Sequence, residues 1–126
     1  MTRWCLLLQA CFGLVAHDLY MARHDFSSLS RRVREFRLNA TPSCADTQWN
    51  VASALDLACC FYPKKVLCLQ RSAVLVKMLR QNGVPAHMMI GAQKLPFKAH
   101  AWVEVDGRAF HDRLAERERF LVLEVC

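Results

Sequence analysis

Between Gln81 and Ala86 the hydrophobic period of this chain changes, and that change restricts the fold more than any other feature. Up to Gln81 the apolar residues recur at helical spacing. Leu69, Ala73, Val76 and Leu79, joined by Val74 and Leu75, make residues 67–81 apolar on nearly every side, as expected of a helix buried at the centre of a domain. Asn82-Gly83 supplies a left-handed cap, and Val84-Pro85 forbids continuation. Beyond it the period is two. Ala86 to Ala92, Ala99 to Val105, Arg108 to Asp112 and Phe120 to Val125 read as strands. Ahead of it lie three further helical patterns: residues 3–22, Ser27 to Leu38 with Ser28 or Ser30 as its cap, and about Asp46 to Cys60 with Val51, Ala54, Leu55 and Ala58 on one stripe. Helices first and an antiparallel sheet afterwards define an α+β domain.

At 126 residues the chain is one domain long, with a helical part over 1–45 and a core over 46–126 meeting at the break Asn39-Ala40-Thr41-Pro42-Ser43. Apolar residues reach 54% against 22% charged, so part of the apolar surface is expected to face a partner. The net charge of +6 permits an acidic partner, but the basic residues are dispersed apart from Arg31-Arg32-Val33-Arg34 and Arg37. That run reads as the solvated face of a helix, no nucleic-acid motif accompanies it, and no nucleic-acid partner is expected. The apolar run Trp4 to Ala16 resembles a signal segment, yet it is short for a bilayer and Gln9 interrupts it. Trp4, Cys5, Phe12 and Leu19 suit a core helix, so a core helix is expected over residues 3–22 in preference to a signal or membrane-surface segment, and the sequence leaves open whether it rests on the domain, on a partner or on a membrane.

Seven cysteines form an odd set with no C-x-x-C spacing, which fits neither a disulfide framework nor a structural zinc site. Reduced thiols in a bacterial-type cytosol fit best, most of them acting as small buried hydrophobes, with no metal or cofactor. Cys68 differs from its siblings by position. It opens the buried helix, where free N–H groups and the macrodipole favour a thiolate. Cys59 and Cys60 end the preceding helix, where the dipole disfavours an anion.

A thiol at a helix start, an imidazole on a strand (His100) and a carboxylate on the next strand (Asp112) are the parts of a cysteine nucleophile, its base and its orienter. A lone strand histidine is more often structural than catalytic, so the hairpin register matters. With a two-residue loop at Asp106-Gly107, Val105 pairs with Arg108 and His100 faces Arg113. With a three-residue loop, Glu104 pairs with Arg108 and His100 stands opposite Asp112 on the same face. Glycine as third loop residue suits the latter, which is the register expected here. Asp106 competes as a carboxylate but suits turn chemistry. His111 competes as an imidazole but faces Ala101 in that register.

The blocks Cys68-Leu69-x-Arg71-Ser72, Gly83-Val84-Pro85-Ala86, Ile90-Gly91, Pro96-Phe97-x-Ala99-His100-Ala101-Trp102-Val103-Glu104 and Asp106-Gly107 resemble the transglutaminase-like lasso-peptide maturation proteases, also described as the microcin-processing B-protein C-terminal domain. The likeness covers roughly residues 46–112, and the stretch before residue 40 is similar only in character. The resemblance implies a papain/transglutaminase-like core with Cys68 as nucleophile, His100 as base and acid, and Asp112 as orienter. It also implies removal of the leader from a ribosomally made precursor, before a separate ATP-dependent cyclase closes the freed N-terminus onto a side-chain carboxylate. About 45 residues precede the core and read as helices, not as the strands of a winged-helix leader-binding module. The chain therefore resembles the split, protease-only form. Its expected partners are the precursor leader, a separate leader-binding protein and the cyclase.

Oxyanion donors are expected from the backbone at the start of the Cys68 helix, with Gln70 or Trp102 as side-chain candidates and Gln70 alternatively a solvated helix residue. Arg71 is expected to support the fold. Two other readings share these residues: a catalytically silent peptide-binding module, and acyl transfer to an amine instead of water.

Overall fold

The computed structural model describes residues 3–38, 45–93, 98–105, 108–110 and 121–126. Four helices, α1 (Arg3–Met21), α2 (Phe26–Glu35), α3 (Ala45–Phe61) and α4 (Cys68–Gln81), precede four strands, β1 (Ala86–Gln93), β2 (Lys98–Val105), β3 (Arg108–Ala109) and β4 (Leu121–Val125). The sheet is antiparallel in the order β3-β2-β1-β4, so the expected α+β class holds. Each element lies within a few residues of its sequence-predicted span.

α4 is the hub, as its all-round apolarity demands. Val74, Leu75, Val76 and Leu79 are each at most 2% exposed. One side of α4 lies on the sheet. Ala86, Met88 and Ile90 of β1 pair with Val105, Val103 and Ala101 of β2, and all six join the core cluster around α4. The alternate residues face away from the helices, where Met89 and Trp102 form a second small cluster with Val122. α1 and α3 pack beside one another on α4. At the α1–α4 contact the backbones approach so closely that a Cβ on Gly13 would stand 2.8 Å from Val74 Cγ1.

The two ends of α4 are built differently. At its C-terminus Gly83 takes a φ of 84°, the conformation that needs no Cβ, and closes the helix with bonds from Val84 N–H to Leu79 O (2.8 Å) and Gly83 N–H to Arg80 O (3.1 Å). Arg80 is buried there. Its guanidinium donates to Ala86 O (2.9 Å), to Val33 O and Phe36 O at the end of α2, and to Cys126 O (2.8 Å). Burial lowers its pKa, yet a guanidinium stays charged. At the N-terminus the cap residue is Leu67, which offers no side-chain hydrogen bond.

Two helical expectations are corrected. α2 is capped by Asp25, whose carboxylate accepts from Ser28 N–H at 2.9 Å, and not by Ser28 or Ser30; Ser30 is buried. Asp25 stands three residues ahead of the N–H it caps, the distance a cap carboxylate spans. On α1 the residues expected in the core, Trp4, Cys5, Phe12 and Leu19, are exposed, while Leu6, Ala10, Gly13 and Leu14 are buried. Trp4, Leu8, Phe12, Val15 and Leu19 make one exposed apolar stripe. Because α1 is apolar on both faces, periodicity could not choose between them.

Candidate active site

Cys68 is the first residue of α4, and its thiol is exposed. Arg71 N–H makes the first turn's bond to Leu67 O at 3.0 Å. The N–H groups of Cys68, Leu69 and Gln70 come earlier in that turn and so precede the helix's own bonding pattern. With leucine at the cap, no cap side chain occupies them. A partial positive charge therefore meets whatever stands next to the thiol.

His100 is half-buried on β2, opposite Gly91. Its ring stacks near that of Trp102, with centroids 5.9 Å apart and planes 16° from parallel. Cys68 and His100 line the same cleft of about 130 Å³, with Ser72 and Arg71 from α4, Trp102 from β2 and Phe110 just after β3. The structure thus brings two of the three expected residues to one cavity. Phe110, held by its N–H to Val103 O at 2.7 Å, was not singled out from sequence. Its place in the alternation Arg108–Asp112 was the only signal.

The third residue is a different matter. Val105 pairs with Arg108 and Glu104 with Ala109, the register of a two-residue loop and not of the three-residue loop expected. Asp-Gly suits a two-residue hairpin loop, whose twist matches its strands. The register argument for Asp112 opposite His100 therefore fails. Asp112 itself, with Asp106, Gly107 and His111, lies outside the described residues. Its assignment rests on the family resemblance.

The side-chain oxyanion candidates are also corrected. Gln70 is buried and turned away from the cleft, donating to Leu14 O of α1 at 3.1 Å. Trp102 borders the cleft, but its indole N–H donates to Glu104 Oε2 at 3.0 Å, and both residues are buried. The backbone N–H groups at the start of α4, in the same turn as the thiol, stay as the expected donors. Arg71 pairs with Asp56 of α3 at 3.0 Å and so ties the first turn of α4 to its neighbour, the structural role expected. Among the other thiols, burial pushes Cys59 up, away from the reactive thiolate form. Cys5, Cys11 and Cys60 are exposed, so the expectation that most of the thiols are buried fails among the described residues; Cys126 is buried and Cys44 lies outside the described residues.

A helix-borne cysteine facing a strand-borne histidine across a cleft is the arrangement of a thiol-dependent acyl-transfer fold. The family model for the transglutaminase-like superfamily matches residues 12–125, and the chain belongs to that superfamily. Among curated proteins it is similar to the microcin J25-processing protein McjB of Escherichia coli, with 36% identity over 56 residues. That match takes in 44% of this chain and 27% of the relative. No solved structure matches the chain.

Proposed function

We propose that this protein is a cysteine peptidase that removes the leader from a ribosomally made lasso-peptide precursor, cutting at the leader–core junction before a separate cyclase closes the ring. The observation that carries the reading is the single cleft shared by Cys68, at the uncapped start of α4, and His100. The superfamily match supports the thiol chemistry, and the similarity to a microcin-processing protein supports the substrate class.

The chemistry follows from those two side chains. His100 takes the proton from Cys68, and the sulfur attacks the carbonyl carbon of the junction. The oxyanion that forms is met by the N–H groups of the first turn of α4. The C–N bond then breaks, His100 returns its proton to the departing amine, and an acyl thioester stays on Cys68. Water, deprotonated by His100, attacks the thioester. The C–S bond breaks, the carboxylic acid leaves and the thiol is restored. In this reading Asp112 holds the imidazole in the tautomer that accepts from sulfur. No cofactor takes part. A separate leader-binding protein delivers the precursor in the cytoplasm, and the exposed apolar stripe of α1 is a surface such a partner could use.

The test is cleavage of the genomically neighbouring precursor followed by mass spectrometry, comparing wild type and Cys68→Ala with and without the leader-binding protein. One defined cut that disappears in Cys68→Ala is the expected result. An unchanged cut removes Cys68 from the mechanism, and no cut by wild type with the partner present moves the reading to a silent peptide-binding module. The superfamily match equally favours acyl transfer to an amine. Adding a primary amine to the assay separates the two, since an amide product is heavier than the acid by a known mass.

A further inference from the structure

One turn of α1 grips the chain on both sides of Cys68. Ahead of the cysteine, the Tyr62 hydroxyl donates to the Asp18 carboxylate and lies 3.4 Å from Leu14 O. Lys64 Nζ stands 2.7 Å from the other Asp18 oxygen. Behind the cysteine, Gln70 donates to Leu14 O at 3.1 Å. Anchors on either side of Cys68, two before it and one after, therefore converge on the turn from Leu14 to Asp18.

The protonation states suit this network. Burial pushes the Asp18 carboxyl up, but the bonds from Lys64 and Tyr62 outweigh it and hold the group below its ordinary value. Burial, and then the bond to Asp18, push the Tyr62 hydroxyl up to about 12. At neutral pH a carboxylate thus accepts from a neutral phenol. The Lys64 end is more than half exposed, so that ion pair alone is weak. The grip resides in the part-buried Tyr62 bond and the buried Gln70 bond. Asp18, Tyr62, Lys64 and Gln70 all stand outside the lining of the cleft, so none touches a substrate there.

We infer that Asp18 and Tyr62 are positioning residues, which fix the 62–67 linker and the first turn of α4 so that the Cys68 thiol is held at the cleft it shares with His100. The inference rests on the reading of Cys68 as nucleophile, and it assigns α1 a part in setting that nucleophile.

The experiment uses the full chain and follows iodoacetamide alkylation of Cys68 against pH. The readout is the tryptic peptide Val66–Arg71, in which Cys68 is the sole cysteine. Asp18→Ala and Tyr62→Phe are expected to slow alkylation at pH 7 by about five-fold or more and to displace the rate–pH profile from that of wild type, as a thiol no longer held in its surroundings does. Lys64→Arg, which keeps the cation, is expected to behave as wild type. Tyr62→Phe removes one oxygen and keeps the ring, so it carries the test where Asp18→Ala does not fold. Folded Asp18→Ala and Tyr62→Phe proteins with the wild-type rate and midpoint overturn the inference. A wild type that cuts no precursor overturns the peptidase reading but leaves this one standing if the profiles shift. Precursor cutting with unshifted profiles does the reverse.

Discussion

The two ends of α4 are opposites. At the C-terminal end Gly83 closes a bonded cap, and Arg80 spreads its guanidinium over carbonyls of α2, β1 and the residue after β4. At the N-terminal end a leucine stands where a serine or aspartate would cap the helix, and an exposed cysteine follows. A missing cap costs a helix about 1 kcal/mol. Polar satisfaction is concentrated at the anchored end, and no cap side chain covers the first-turn donors where the proposed chemistry takes place. One helix thus carries both the anchor of the fold and the candidate nucleophile, and their demands fall on opposite ends.

The sharpest way to break this contrast is at the reactive end. Cys68→Ala is expected to reduce precursor cleavage by at least about three orders of magnitude, while its urea midpoint stays near wild type because the thiol is exposed. At the anchored end the effects invert. Arg80→Met removes the donors from a set of buried carbonyls and is expected to cost about 3 kcal/mol or more in urea unfolding; cleavage by the remaining folded fraction should be little changed. Gly83→Ala forces a Cβ into a φ of 84° and is expected to cost about 1–2 kcal/mol by the same measurement. The substitution expected to stabilise the fold is the most telling. Leu67→Ser installs the missing cap and should stabilise the fold by about 1 kcal/mol. By occupying an N–H group of the first turn, it should also slow both Cys68 alkylation and precursor cleavage. A Leu67→Ser protein as active as wild type would show that the open donors are not used.

Much of this was legible in the sequence, and the misses have physical reasons. The helices and strands were readable because each kept its period, and because Gly83 and Pro85 marked the change from one period to the other. Cys68 stood out because it opened the most strongly patterned helix. The hairpin register was misread because Asp106-Gly107 satisfies both loop lengths, and the short β3 adds little side-chain patterning to separate them. The buried face of α1 was misread because Trp4 and Phe12 look like core residues until a neighbour is present to choose the other side. Arg80 gave no signal, since a basic residue in the last turn of a helix is ordinary dipole complementation. Its role depends on carbonyls more than forty residues away in either direction.

That separation carries a consequence for how the chain is made. Synthesis runs from the N-terminus, so α1 to α4 are complete before β4 exists. The Arg80 charge then has Val33 O available but lacks Cys126 O, 46 residues further on, and β1 lacks its neighbour on one edge. The α1–α4 contact needs the chain only as far as Gln81, whereas β1–β4 pairing needs it as far as Val125. The thiol-bearing helix is therefore made before the strand that pairs with β1 on its open edge and brings the carbonyl of Cys126 to the guanidinium. Completion of the fold is timed by β4.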